Sequence, residues 1–163
     1  MSKNNLTEAF NLIERNKDKS DFEALDDDVL IIQFEKKLGV TFPPSYRSFL
    51  LNYGCGGVGS SEIYGIIKNN PDGFGVPNGI WLTLDEREKW NLPHHFIIIG
   101  DTGDGDWYAL DSSQPNSEGE YPVVICCYDG DTYHTEKIHE DFGEFLLTET
   151  QFALKEDEDD EEE

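Results

Sequence analysis

Asp101-Thr102-Gly103-Asp104-Gly105-Asp106 places three carboxylates within six residues, separated by glycines. Oxygen donors at that density are what Ca²⁺ or Mg²⁺ requires. The spacing is D-x-x-D-x-D, and no glutamate closes a twelve-residue loop, so the run is not an EF-hand. The same residue types serve a tight β-turn, in which Asp side chains accept hydrogen bonds from nearby backbone N–H groups. The turn reading is the favoured one, with a partner-contact loop beside it. No metal and no other cofactor is assigned to the chain.

The other chemically capable residues are scattered. His134 and His139 are not spaced as a helical pair, and with Cys126 and Cys127 they fit no standard zinc pattern. His94 and His95 are read as ordinary surface or core side chains. A Cys–His nucleophile needs an orienting third group and an oxyanion hole, and neither is legible. Gly54-Cys55-Gly56-Gly57-Val58-Gly59 lacks the Lys-Ser/Thr ending of a phosphate-binding loop and follows a helix rather than a strand. It is read as a flexible helix-to-strand connection. The chain is therefore not expected to be an enzyme. Three cysteines, an odd number without framework spacing, point to reduced thiols in a cytoplasmic protein.

The elements that carry these residues follow from periodicity. Leu6–Glu14 reads as a short helix and Asn16–Ser20 as a polar turn. Asp26–Asp28 supplies a helix N-terminus. Leu30, Ile31, Phe34 and Leu38 form a helical stripe that Gly39 ends, and Pro43-Pro44 opens a second helix with Tyr46, Phe49, Leu50 and Tyr53 on one face. Ile63–Ile67 reads as a strand, and Asn69–Asn78 as a loop rich in Gly and Pro. Ile80-Trp81-Leu82 reads as a short strand or an anchor. Thr83 with Glu86 forms a capping box for a helix to Trp90. Strands follow near Phe96–Ile99, Asp106–Leu110, Pro122–Cys127 and Thr132–Ile138, and Asp141 with Glu144 caps a closing helix. Helices, then strands, then a helix make an α+β fold, not a βαβ alternation. The expectation is one domain over 1–154. Its helices pack on one face of a mostly antiparallel or mixed sheet of about five or six strands. The other face or an edge is left for a partner.

The order of certain residues carries more than their types. Leu30 to Gly57 reads as an apolar stripe, L-G-x-x-x-P, Y-x-x-F-L-x-x-Y-G and a glycine pair. Leu92-Pro93 precedes a strand ending in Gly100-Asp101. Gly105–Asp111, Tyr121–Val124 and Asp141–Leu146 follow in sequence. This succession, roughly Asp26 to Leu147, resembles the SUKH superfamily of fungal cell-wall-synthesis regulators and bacterial immunity proteins. The chain departs from the pattern at about Lys68–Asn78, an extra stretch, and before Asp26, where the first helix has no sharp motif. The resemblance implies the same α+β architecture, a non-catalytic role, and an intracellular immunity protein of bacterial type. The alternative it leaves open is a regulatory scaffold like the fungal members.

Charge agrees with that class. Of 163 residues, 12 are Lys or Arg and 35 are Asp or Glu, a net charge of −23. The eight terminal residues are all acidic. With them set aside, twelve basic side chains still face twenty-seven acidic ones, a net charge of −15. Such a field repels nucleic acid and anionic membranes and attracts basic partners. Residues 155–163 are expected to be a disordered acidic tail. The partner expected is a basic toxin domain, a nuclease whose phosphate-binding site an acidic face could occupy. The candidate contacts are Glu62 and Tyr64 on the first strand, Asp101, Asp104, Asp106 and Trp107 on the strand turn, and Asp129 and Asp131 on the last hairpin. The oligomeric state expected is a monomer or weak dimer.

Overall fold

A computed structural model describes residues 2–161. The first helix, α1 (Ser2–Arg15), leads through a 3-10 turn at Lys17–Lys19 into β1 (Ser20–Phe22). The polar turn expected at Asn16–Ser20 thus runs straight into a short strand. The helical hairpin α2 (Asp28–Leu38) and α3 (Pro44–Asn52) comes next. Asp27 caps α2, its side chain accepting the Leu30 N–H at 3.1 Å, and Gly39 ends it in the left-handed conformation at φ 73°. The turn between the helices is held by one carboxylate. Glu35 accepts the Phe42 N–H at 2.7 Å and also pairs with the Arg47 guanidinium. Ile31, Phe34, Leu38, Tyr46, Phe49 and Leu50 are buried, so both stripes face the core. Rings of Tyr46 and Phe49 meet Phe142 at centroid distances of 5.0 and 5.3 Å. Burying such a side chain stabilises by roughly 1.5–3 kcal/mol.

β2 (Gly56–Val58) and β3 (Ser61–Ile63) complete a small antiparallel sheet in the order β1-β2-β3. The glycine run 54–59, expected to be a flexible connection, is instead the middle strand of this sheet and its approaches. A Cβ on Gly57 would lie 1.9 Å from the Ser61 carbonyl oxygen, so only glycine permits the pairing. The strand expected over Ile63–Ile67 stops at Ile63. Beyond it Tyr64 donates its N–H to the Ile99 oxygen at 2.9 Å, and Gly65 forms an isolated parallel bridge to Asn78.

α4 (Gly79–Trp90) corrects a local expectation. Ile80-Trp81-Leu82 is neither strand nor isolated anchor but the first turn of the helix, and Asn78, not Thr83, is the cap. The Thr83 hydroxyl lies inside the helix. It donates to the Gly79 carbonyl at 2.7 Å and accepts the Ile98 N–H at 3.0 Å, riveting α4 to the sheet. Asn78 wins the cap because its amide has partners on both sides, in the helix and in the preceding loop.

The main sheet is antiparallel and runs β4 (Phe96–Asp101), β5 (Trp107–Asp111), β6 (Val123–Tyr128), β7 (Tyr133–His139) in sequence order. The seven strands therefore divide into sheets of three and four rather than forming one sheet of five or six. Alternation sends Ile97, Ile99, Leu110 and Val123 to the principal core and Phe96, Ile98, Ala109, Val124 and Cys126 to a second one. The principal core is shared with α1, α2, α3 and the closing helix α5 (Phe142–Glu161). α4 lies on the other face, contributing Trp81 and Leu82, so both faces carry helix. Asp141 caps α5 as expected, accepting the Glu144 N–H at 2.9 Å. Glu144 reaches back to the Glu140 N–H at 3.2 Å, one residue earlier than an ideal capping box.

Within the acidic run from residue 155, expected to be a disordered tail, α5 continues to Glu161. Two contacts favour the helical form. Lys19 pairs with Asp157 at 2.9 Å, and the Ser60 hydroxyl donates to Glu156 at 3.0 Å. Residues 162 and 163 lie outside the described residues.

Candidate interaction site

Strand register gathers the acidic residues. Asp101 pairs with Trp107, Trp107 with Cys126, and Cys126 with Thr135. The β4–β5 turn bearing Asp104 and Asp106 and the β6–β7 turn bearing Asp129 and Asp131 therefore project from the same end of the sheet. Their strands are spaced about 4.8 Å apart, so the two turns sit on the order of 10 Å from each other. The Tyr64–Ile99 hydrogen bond brings the end of β3, with Glu62, beside the same end of β4. From Trp90 through Glu136 the chain has nine Asp and Glu residues and no Lys or Arg. That composition makes this part of the chain acidic.

The turns are ordered by the acids themselves. Asp101 Oδ1 accepts the Gly103 N–H at 2.7 Å, and Thr102 Oγ1 accepts the Asp104 N–H at 3.2 Å. Asp129 Oδ1 accepts N–H groups from Asp131 and Thr132, both at 2.9 Å. His134 Nε2 lies 2.5 Å from its other oxygen. The Thr132 N–H, His134 and the Asp131 N–H together hold the Asp129 carboxyl down at about 2. Asp104 and Asp131 are exposed, while Asp106 is half-buried. Among the described residues, no group of three or more His, Cys, Asp or Glu is placed to hold a metal ion.

The eight candidates do not share one face. Glu62, Tyr64 and Asp101 line a concavity of about 580 Å³ between the β3–β4 edge and α5. Tyr64 is only 4 % exposed, so it forms wall rather than rim. Burial, then Asp101 and Glu62, push its phenol up to about 12. Trp107 faces the second core, where its indole and the Tyr133 hydroxyl, at 3.1 Å, both donate to Glu86. Asp104, Asp106, Asp129 and Asp131 stand on the two turns. The other lining residues lay outside the expected contacts, among them Tyr108, Glu149, Phe152 and Glu156. Their signal was present, since Phe145, Glu149, Phe152 and Glu156 keep one helical face, but it is readable only if α5 extends past Leu147.

The thiols are not activated. Burial pushes Cys55 up to about 11 and Cys126 up to about 12, and a hydrogen bond with Asp106 raises Cys127. A catalytic thiolate requires the opposite shift. No helix among the described residues is long and apolar enough to cross a membrane.

Comparison with curated proteins gives no match. A family model described as SMI1-KNR4 cell-wall, SUKH_6, matches residues 28–146, from the start of α2 to the second turn of α5. The α2–α3 hairpin and the β4–β5 elements that carried the sequence resemblance all lie within that match, which spans well over half of the chain, and the protein therefore belongs to the SUKH family.

Proposed function

We propose that this protein is an intracellular, cytoplasmic immunity protein that binds a cognate toxin, a nuclease with a basic active site, and blocks that site with its acidic sheet end. The observation that carries the reading is the convergence of both acidic turns and Glu62 on one end of the main sheet, in a stretch without Lys or Arg. A nuclease must hold phosphates and is basic where it does so. Carboxylates on rigid turns present fixed negative charge to such a site, and the long-range field steers encounter, raising association rates by roughly 10- to 1000-fold. The protein acts by contact alone, as a monomer or weak dimer, without cofactor and without binding nucleic acid or membrane.

The test is co-expression with the toxin-domain gene adjacent to this one, followed by pull-down and a nuclease assay at low and high salt. The expected result is a complex without nuclease activity whose association slows as salt shortens the Debye length to about 8 Å at physiological ionic strength. An adjacent toxin that ignores the protein at low salt would overturn the proposal and favour a regulatory scaffold.

A further inference from the structure

We infer that the concavity between α5 and the β3–β4 edge receives an arginine side chain presented by a basic segment of the protein partner, an inference that rests on the immunity reading. Four of its lining residues are carboxylates, Glu62, Asp101, Glu149 and Glu156, and none is Lys, Arg or His. Apolar surface accompanies the charge. Phe152 is 60 % exposed at the rim, between Glu149 and Glu156 along α5, and the buried Phe145 lies beneath. The Tyr108 ring packs on Phe145 at 5.1 Å. The volume of about 580 Å³ lies within the usual range of sites that enclose a ligand group.

Carboxylates beside aromatic faces select arginine over lysine. A guanidinium is planar and weakly hydrated, forks onto carboxylate oxygens and stacks on rings, whereas an ammonium keeps its water. Glu149 is the acid such a cation would relieve most. Burial raises its carboxyl above the ordinary range although the nearby His139 opposes the shift, and the Ser61 hydroxyl reaches it only at 3.5 Å. The wall is fixed to the body by the Lys19–Asp157 and Ser60–Glu156 contacts. It also lies beyond the family match, which ends at residue 146. The distal half of α5 supplies Glu149, Phe152 and Glu156 to the site, and specificity for one partner resides there.

The test uses the full chain and two probes, acetyl-Leu-Arg-Leu-amide and its lysine counterpart, followed by backbone amide shifts. The arginine peptide should move the amides of Ser61, Tyr64, Asp101, Gly103, Glu149 and Phe152 and bind about fivefold or more tightly than the lysine peptide. Glu149→Gln and Phe152→Ala, both at solvent-reached positions, should each weaken it about five- to tenfold. Equal affinity for the two peptides, or shifts spread evenly over both acidic turns, would overturn the inference. Pull-down with the adjacent toxin separates the two claims. Toxin held equally by Glu149→Gln, Phe152→Ala and the unaltered protein sinks the arginine site and leaves the immunity reading standing. An arginine-selective concavity in a protein that ignores the toxin does the reverse.

Discussion

Asn78 is the side chain on which the join between the preceding loop, α4 and the site depends. It is fully buried and makes four hydrogen bonds. Its oxygen accepts the Ile80 and Trp81 N–H groups at 3.1 and 3.0 Å, and its amide nitrogen donates to the Pro71 and Gly73 carbonyls at 2.8 and 2.9 Å. Replacing it with alanine removes the cap, about 1 kcal/mol. It also strands two loop carbonyls, each at about 1–3 kcal/mol if water cannot reach them. Pro71 is the more accessible of the two, so a total of roughly 2–4 kcal/mol is expected, a large share of an ordinary domain's stability. Asn78→Asp separates the two roles. It keeps the acceptor and adds charge favourable to a helix N-terminus, but it points carboxylate oxygen at two carbonyl oxygens. Asn78→Asp should therefore cost at least as much as Asn78→Ala. Urea unfolding followed by tryptophan fluorescence, with an unchanged m-value, reads both. A loss below about 1 kcal/mol for alanine, or wild-type stability for aspartate, would refute the reasoning, because the loop carbonyls would then not depend on this amide. The effect should reach the site, since Gly65, next to Tyr64, donates to the Pro77 carbonyl and accepts from the Gly79 N–H.

Three further outcomes are expected. Burial raises the Glu86 carboxyl above its ordinary range, so the folded state holds that proton more tightly than the unfolded chain. Stability from this group is full below about pH 4.3 and is lost as pH rises through the folded pKa. Glu86→Gln should accordingly leave stability at pH 7 equal or higher and flatten the decline above pH ~4.3, whereas a less stable variant with an unchanged slope contradicts the assignment. Gly54→Ala should destabilise by about 3 kcal/mol or more, because a Cβ there would lie 2.1 Å from the Glu23 carbonyl oxygen at a backbone φ of +69°; chemical denaturation that finds less than about 1 kcal/mol would show that the backbone yields. Asp104→Asn with Asp131→Asn, on exposed turn positions, should slow association with the adjacent toxin about threefold or more at low salt and leave folding unchanged, and stopped-flow rates that do not move would exclude those turns from the encounter.

The sequence by itself determined the helical hairpin, the closing helix cap, four strands of the main sheet and the family. The elements rest on local periodicity or on a boundary signal, such as Gly39 at a helix end or Pro44 at a helix start, which a short stretch of chain can enforce alone, while the family rests on the order of motifs along the chain. The turn chemistry of Asp101 was legible for the same reason, since an Asp accepting an N–H two residues on needs no distant partner. Only the tertiary structure decided the rest. β1 and β2 are three-residue strands whose pairing depends on backbone approach between segments more than thirty residues apart, and nothing in SDF or GGV signals it. Thr83 carried a valid capping pattern, yet Asn78 took the cap because loop carbonyls it could not reach from sequence alone lay within reach of its amide. The acidic end of α5 looks unfoldable as an isolated string. In the fold, Lys19 and Ser60 meet it from two different elements and turn a run of charge into the wall of a concavity.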